Sequence, residues 1–252
     1  MIIELFGPPA AGKTTIARSL TRRLREAGHV VEPIISNRPA EWDGAATGQE
    51  TREPSPSLMR RLARPIAQAG AALFATAASD QIQAKLMALD PPTSVIWRVR
   101  LKRYLTQLSQ SWSRASRAGH IVLFDQAYVQ FACSLMLLGR KDEDEELHRL
   151  LLGAIPKSDL LVGITAPRAT LEQRLQDRLR SQKPLERLLE FDLKTNLESI
   201  GVIARLEEGL TQSLRPVISV SSVDQQSATF GLAAVERKLA KMPYRDHGAA
   251  SP

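Results

Sequence analysis

Gly7-Pro8-Pro9-Ala10-Ala11-Gly12-Lys13-Thr14, continued by Thr15, stands between the apolar run Ile2-Ile3-Glu4-Leu5-Phe6 and a stretch from Lys13 to Ala27 with helical periodicity. The run reads as a buried strand and the stretch as a helix closed by Gly28. Gly-x-x-x-x-Gly-Lys-Thr in a strand, loop, helix context is the pattern of a Walker A phosphate-binding loop. Its glycines let backbone N–H groups turn inward around phosphates, and the positive end of the following helix adds to that field. Gly7, Pro8, Pro9, Ala10, Ala11, Gly12, Lys13, Thr14 and Thr15 are therefore the expected nucleotide-binding residues. Lys13 would bridge the β- and γ-phosphates and Thr14 would bind Mg²⁺, so ATP and Mg²⁺ are the expected cofactors.

Working outward, His29 to Ile35 reads as a second strand, and Glu41 to Ser57, with Gly44, Gly48, Pro54 and Pro56, as a mobile loop. Leu58 to about Gly119 is helical in pattern, broken at Pro65 and at Asp90-Pro91-Pro92, with Trp97 and Trp112 at core spacing. His120 to Phe124 is the next strand and ends on Asp125. Tyr128 to Gly139 returns to helix, Lys141 to Glu146 is a charged turn, and Leu160 to Ile164 is a fourth strand before a long Arg-rich helical stretch. Pro216 to Val220 is a last strand, Ala228 to Lys241 a closing helix, and residues 243–252 a disordered tail. Alternating strands and helices imply an α/β fold, a parallel sheet covered on both faces, in a single domain over residues 1–242.

Composition narrows the class further. The chain has 252 residues, of which 43% are apolar, enough for a core. Its one cysteine, Cys133, lies in an apolar stretch and can form neither an internal disulfide nor a cysteine zinc site. The net charge of +7 is spread over helices and accompanied by only 5% aromatic residues, which disfavours nucleic acid and suits small polyanionic substrates. No apolar run approaches the roughly 20 residues that span a bilayer, and no leader opens the chain; a soluble cytoplasmic protein is expected, without a membrane partner. His29, His120, His148 and His247 form no metal-ligand spacing, no Gly-x-Ser-x-Gly elbow appears, and no Asn-Lys-x-Asp motif marks a guanine reader.

Ala118-Gly119-His120-Ile121-Val122-Leu123-Phe124-Asp125-Gln126-Ala127-Tyr128 resembles the second signature of the thymidylate kinase and deoxynucleoside kinase superfamily, with Gln126 where an Arg follows the acid. Asp159 to Leu175 is similar to the strand and helix that precede the arginine-bearing lid of that group. The resemblance implies a P-loop NTPase three-layer sandwich, a central parallel sheet of about five strands, a helical lid near residues 174–190, and Mg-ATP as donor to a small-molecule acceptor. Open parallel sheets independently place ligands at the strand carboxyl ends. Asp125 would there hold Mg²⁺, or else cap a helix. Arg174 and Arg178, four apart on one helix face, would clamp the transferring phosphoryl group, or else pair with Glu172 and Asp177.

Asn37-Arg38-Pro39-Ala40-Glu41-Trp42 stands where relatives handle the acceptor. Arg38 suits a phosphate acceptor and Glu41, as a catalytic base, a hydroxyl; both are present, and both fit simple loop decoration. Pro9-Ala10-Ala11 replaces an acid of thymidylate kinases, and Leu73 to Ser79 lacks the arginine that reads thymine, so thymidylate itself is disfavoured. The expected activity is transfer of the γ-phosphoryl of ATP to a nucleotide or nucleoside. A hydroxyl of a sugar, antibiotic or other metabolite is the alternative acceptor, and a nucleotide-dependent binding protein the alternative class. A homodimer is compatible with either.

Overall fold

In the computed structural model, residues 1–35, 77–139, 145–181 and 191–242 are described. The elements are β1 (Ile2–Phe6), α1 (Lys13–Glu26), β2 (Val31–Ile34), α2 (Ala77–Leu89), α3 (Val95–Ala115), β3 (Ile121–Phe124) and α4 (Tyr128–Leu138). They continue with α5 (Glu145–Ala154), β4 (Leu160–Thr165), α6 (Arg168–Ser181), α7 (Leu193–Gln212), β5 (Val217–Ser221) and α8 (Gln225–Leu239). The expected loop around residues 41–57, the lid beyond Ser181 up to 190, residues 141–144 of the expected charged turn and the tail from 243 lie outside the described residues. Glu145 and Glu146, expected in that turn, instead open α5 as acidic residues of its first turn, where the helix dipole favours them.

The strands form one five-stranded sheet in the order β2-β3-β1-β4-β5. Every pairing is parallel, with Ile3 opposite both Leu123 and Leu160. A parallel sheet is buried on both faces, which is why β1, β3 and β4 are nearly unbroken apolar runs rather than alternating ones. On one face Ile3, Leu5, Leu123 and Val162 pack against Ile16, Leu20 and Leu24 of α1 and Leu232, Val235 and Leu239 of α8. On the other, Ile2, Phe6, Val122, Phe124 and Leu161 meet Leu105 and Trp112 of α3, Phe131 of α4, Leu151 of α5 and Leu206 of α7. The three-layer α/β sandwich expected from the strand and helix alternation is therefore present. Arg23 clasps Glu236 through two bonds of 2.6 and 2.7 Å, tying α1 to α8 across their outer faces.

Two element boundaries follow side-chain caps that apolar spacing did not reveal. The closing helix begins at Gln225 rather than Ala228, because Asp224 accepts the Ser227 N–H at 2.7 Å. The Arg-rich stretch divides into α6 and α7, and Asp192 caps the second by accepting the Thr195 N–H at 2.7 Å. That backbone bond holds the Asp192 carboxyl below its usual range.

The tryptophans also separate. Trp112 is core, edge-on to Tyr128 at 5.0 Å. Trp97 is only partly buried, stacked on Phe191 at 4.6 Å and covered by the Arg100 guanidinium 4.3 Å from its ring centre. It joins α3 to the residue just ahead of α7, which corrects the expectation that both rings belong to the core.

Candidate active site

β1 and β3 are neighbours in register, so the segments leaving their carboxyl ends emerge side by side. Those segments are the loop from Gly7 and the turn at Asp125. α1 opens on Lys13 with Gly12 as its N-cap, and Gly12 lies in the left-handed region at φ 84°. Ile16 N–H is bonded to the Gly12 carbonyl at 3.0 Å, so the amides of Gly12 to Thr15 precede the helix's own ladder. Such N–H groups, with the positive end of the helix behind them, form an anion cradle. Ala10 also adopts positive φ, at 62°, a strained conformation held where the loop turns.

The Lys13 side chain lies back along the loop, and its Nζ donates to the Gly7 carbonyl at 2.7 Å and the Pro8 carbonyl at 2.9 Å. It is 7% exposed, so its charge sits at the floor of the loop with little water around it. Thr14 Oγ1 donates to Asp125 Oδ2 at 2.9 Å, linking α1 to the end of β3. Asp125 is fully buried. The N-cap of α4 is Ala127, without a side-chain cap bond. A hydroxyl and a carboxylate oxygen, adjacent and hard, are the ligand types that Mg²⁺ takes beside nucleotide phosphates. Among the described residues, no cluster of three or more His, Cys, Asp or Glu could hold a metal unaided.

Arg174 and Arg178 both lie on α6. Arg174 Nη2 donates to the Ser222 carbonyl at 2.8 Å, which engages this guanidinium with the residue after β5. Asp177 pairs with Arg180 at 3.6 Å, and Glu172 accepts from Gln176. The ion-paired reading of the helix thus applies to Arg180 rather than to Arg174. Pro8 and Ala11 are buried and Thr15 is exposed. Arg38 and Glu41 lie outside the described residues.

Two neighbours of the candidate site escaped the sequence reading. Ser222 meets the loop from Gly7 only because β5 pairs with β4, which in turn lies beside β1; its Oγ donates to the Ala11 carbonyl at 2.7 Å. Nothing near it in sequence signals this. Glu4 did carry a signal, as a lone carboxylate in an apolar strand. It is fully buried, accepting the Val129 N–H at 2.6 Å and the Ser158 hydroxyl at 2.9 Å. It therefore pins Val129 in the first turn of α4, four residues after Asp125.

Burial pushes the Glu4 carboxyl from an ordinary 4.5 up to about 7, outweighing those hydrogen bonds and the Arg215 charge. The folded protein consequently holds a proton between these values that the unfolded chain releases. Stability contributed by Glu4 is present at acid pH and lost as pH rises from 4.5 to about 7, by about 3 kcal/mol in total. Glu4→Gln, which mimics the protonated carboxyl, is expected to be relatively more stable than wild type at pH 8 than at pH 5. Urea midpoints at the two pH values test this; parallel pH dependences in both proteins would exclude it. Cys133, by contrast, is inert, its thiol pushed up to about 12 by burial.

No family model matches the chain, and no curated protein does. Among solved structures, it is similar to the deoxyadenosine kinase of M. mycoides with the products dCMP and a flexible dCDP bound. That match has a TM-score of 0.51 and 16% identity, over 96% of this chain and 100% of the other. The same kinase with bound dCTP matches at TM-score 0.45 and 15% identity, over 96% and 100% of the two chains. With bound dATP it matches at 0.48 and 17% identity, over 95% and 100%. The first of these identifies the fold as that of a deoxyadenosine kinase, and at this identity it speaks to fold alone.

Proposed function

We propose that this chain transfers the γ-phosphoryl group of Mg-ATP to a nucleoside or nucleotide. The observation that carries the reading is the convergence of Lys13, Thr14 and buried Asp125 at the joined carboxyl ends of β1 and β3. In the proposed reaction an acceptor oxygen attacks the γ-phosphorus as its bond to the β,γ-bridging oxygen breaks, and ADP leaves. Little covalent work falls to the protein, whose task is positioning and charge stabilisation. The loop amides and Lys13 hold the phosphates; Thr14 and Asp125 hold Mg²⁺. Arg178 on α6 is the proposed clamp on the transferring group, with Arg174 beside it. Arg38 would handle a phosphate on the acceptor, or Glu41 would take the proton of an acceptor hydroxyl.

The acceptor class is supported by the deoxyadenosine kinase of similar fold, which holds dCMP and dCDP as products. Among the described residues no helix is long and apolar enough to cross a membrane. With a single buried cysteine, that suits the reducing cytoplasm proposed as its site of action.

The deciding experiment offers Mg-ATP with a panel of nucleosides, nucleoside monophosphates, sugars and aminoglycosides, following ADP and identifying products by mass. A nucleoside or nucleotide that gains one phosphate for each ADP formed is the expected result. Transfer to a sugar or an aminoglycoside alone would replace the acceptor class. Bound ATP with no phosphorylated product across the panel would favour a nucleotide-dependent binding protein.

A further inference from the structure

Ser222, the first residue after β5, sits where the phosphate loop, β4 and α6 meet. Its N–H donates to the Thr165 carbonyl at 2.8 Å, closing the end of β4 onto β5. Its Oγ lies 2.7 Å from the Ala11 carbonyl and 3.2 Å from that of Thr165. A hydroxyl has one hydrogen, and the shorter contact, to Ala11, takes it. From the opposite side Arg174 of α6 donates Nη2 to the Ser222 carbonyl at 2.8 Å and brings Nη1 to 3.5 Å from the hydroxyl oxygen.

The geometry of the peptide unit makes this contact consequential. In a trans peptide the carbonyl of one residue and the N–H of the next point in opposite directions. Holding the Ala11 carbonyl toward Ser222 therefore turns the Gly12 N–H the other way, away from Ser222. Gly12 is the left-handed N-cap, the point at which that orientation is otherwise least constrained.

We propose that Ser222 is a positioning residue for nucleotide phosphates: it aims the Gly12 N–H through the Ala11 carbonyl and makes the loop's orientation depend on Arg174 and α6. The inference rests on the phosphate-loop reading but not on the identity of the acceptor. Arg174 then acts through Ser222.

The test is titration of Mg-ADP into wild type, Ser222→Ala, Ser222→Thr, Arg174→Ala and the Ser222→Ala/Arg174→Ala pair, with melting midpoints taken without nucleotide. Ser222→Ala is expected to weaken Mg-ADP binding about tenfold, the scale of one lost hydrogen bond, with its midpoint unchanged. Threonine, which keeps the hydroxyl, is expected to restore binding. The double variant is expected to lose clearly less than the product of the two single losses, because both remove one path. Affinity within about twofold of wild type in Ser222→Ala, or independent losses in the double variant, would overturn the proposal. A midpoint that falls in step with affinity would assign Ser222 a purely structural role and overturn it too. Absence of Mg-ADP binding by the wild type would remove the loop reading along with it. A silent acceptor panel with ADP bound would leave the inference standing.

Discussion

Lys13→Ala is expected to lower phosphoryl transfer by about a thousandfold while the sheet remains folded. The ammonium lies in the loop with 7% exposure, where a charge acts through less water than it would on the surface. During transfer, negative charge spreads over the γ-phosphate oxygens, and a fixed cation stabilises that distribution more than it stabilises bound ATP. Removing one such preorganised donor generally costs about 3 to 4 kcal/mol of the barrier. The side chain also holds the Gly7 and Pro8 carbonyls, so a stability loss of about 1 kcal/mol should accompany the change. These two losses are separable: single-turnover rates at saturating Mg-ATP report the first and thermal melting the second. A variant that retains wild-type turnover would remove Lys13 from the chemistry and, with it, the kinase reading.

Gly7→Ala is expected to be the most damaging single methyl group that can be added to the loop. Gly7 has φ at 151°, and a Cβ there would meet the Ile164 carbonyl oxygen at 2.4 Å. That oxygen belongs to β4, directly beside β1 in the sheet, so neither partner can move without parting the two strands at the end that carries the site. Backbone strain and overpacking together should destabilise the fold by about 3 kcal/mol or more, and nucleotide affinity should fall with it. Gly12→Ala supplies the contrast. Its φ of 84° is also left-handed, but the nearest atom to an added Cβ is Ser222 Cβ at 3.9 Å. Only the conformational penalty applies, about 1 to 2 kcal/mol. Equal midpoints for the two variants would show that the close approach at Gly7 is not what fixes the loop to β4.

Both predictions bear on residues that the chain displays openly. Gly7, Gly12, Lys13 and Thr14 form a contiguous motif whose local context, an apolar strand before and a periodic helix after, can be checked without coordinates. Asp125 was legible for a related reason: it follows the apolar run Ile121-Val122-Leu123-Phe124, and a strand end in a parallel sheet is where ligands meet the fold. Helix ends were less legible. Asp192 and Asp224 each cap a helix through one side-chain bond three residues onward, and apolar periodicity, which reports the buried face, is blind to the polar residue that starts it. Trp97 and Trp112 show the same limit from the other side, since identical residues at helical spacing met the core in one case and Phe191 in the other.

What the sequence determined by itself is the set of local devices: the Gly7 to Thr14 loop between strand and helix, the strands buried on both sides, and the acid at the end of β3. Their periods and spacings are properties of neighbouring residues and need no knowledge of the rest of the chain. The tertiary structure alone decided which distant groups touch them. The strand order β2-β3-β1-β4-β5 puts Asp125 beside Thr14 and brings Ser222 against Ala11, although 111 and 211 residues separate the partners. It also turns Glu4 from a strand residue into the buried carboxylate that anchors α4, with a proton affinity set by desolvation. Hydrogen bonds and desolvation act over a few ångströms in space, whatever the distance along the chain, so only the assembled sheet could assign them.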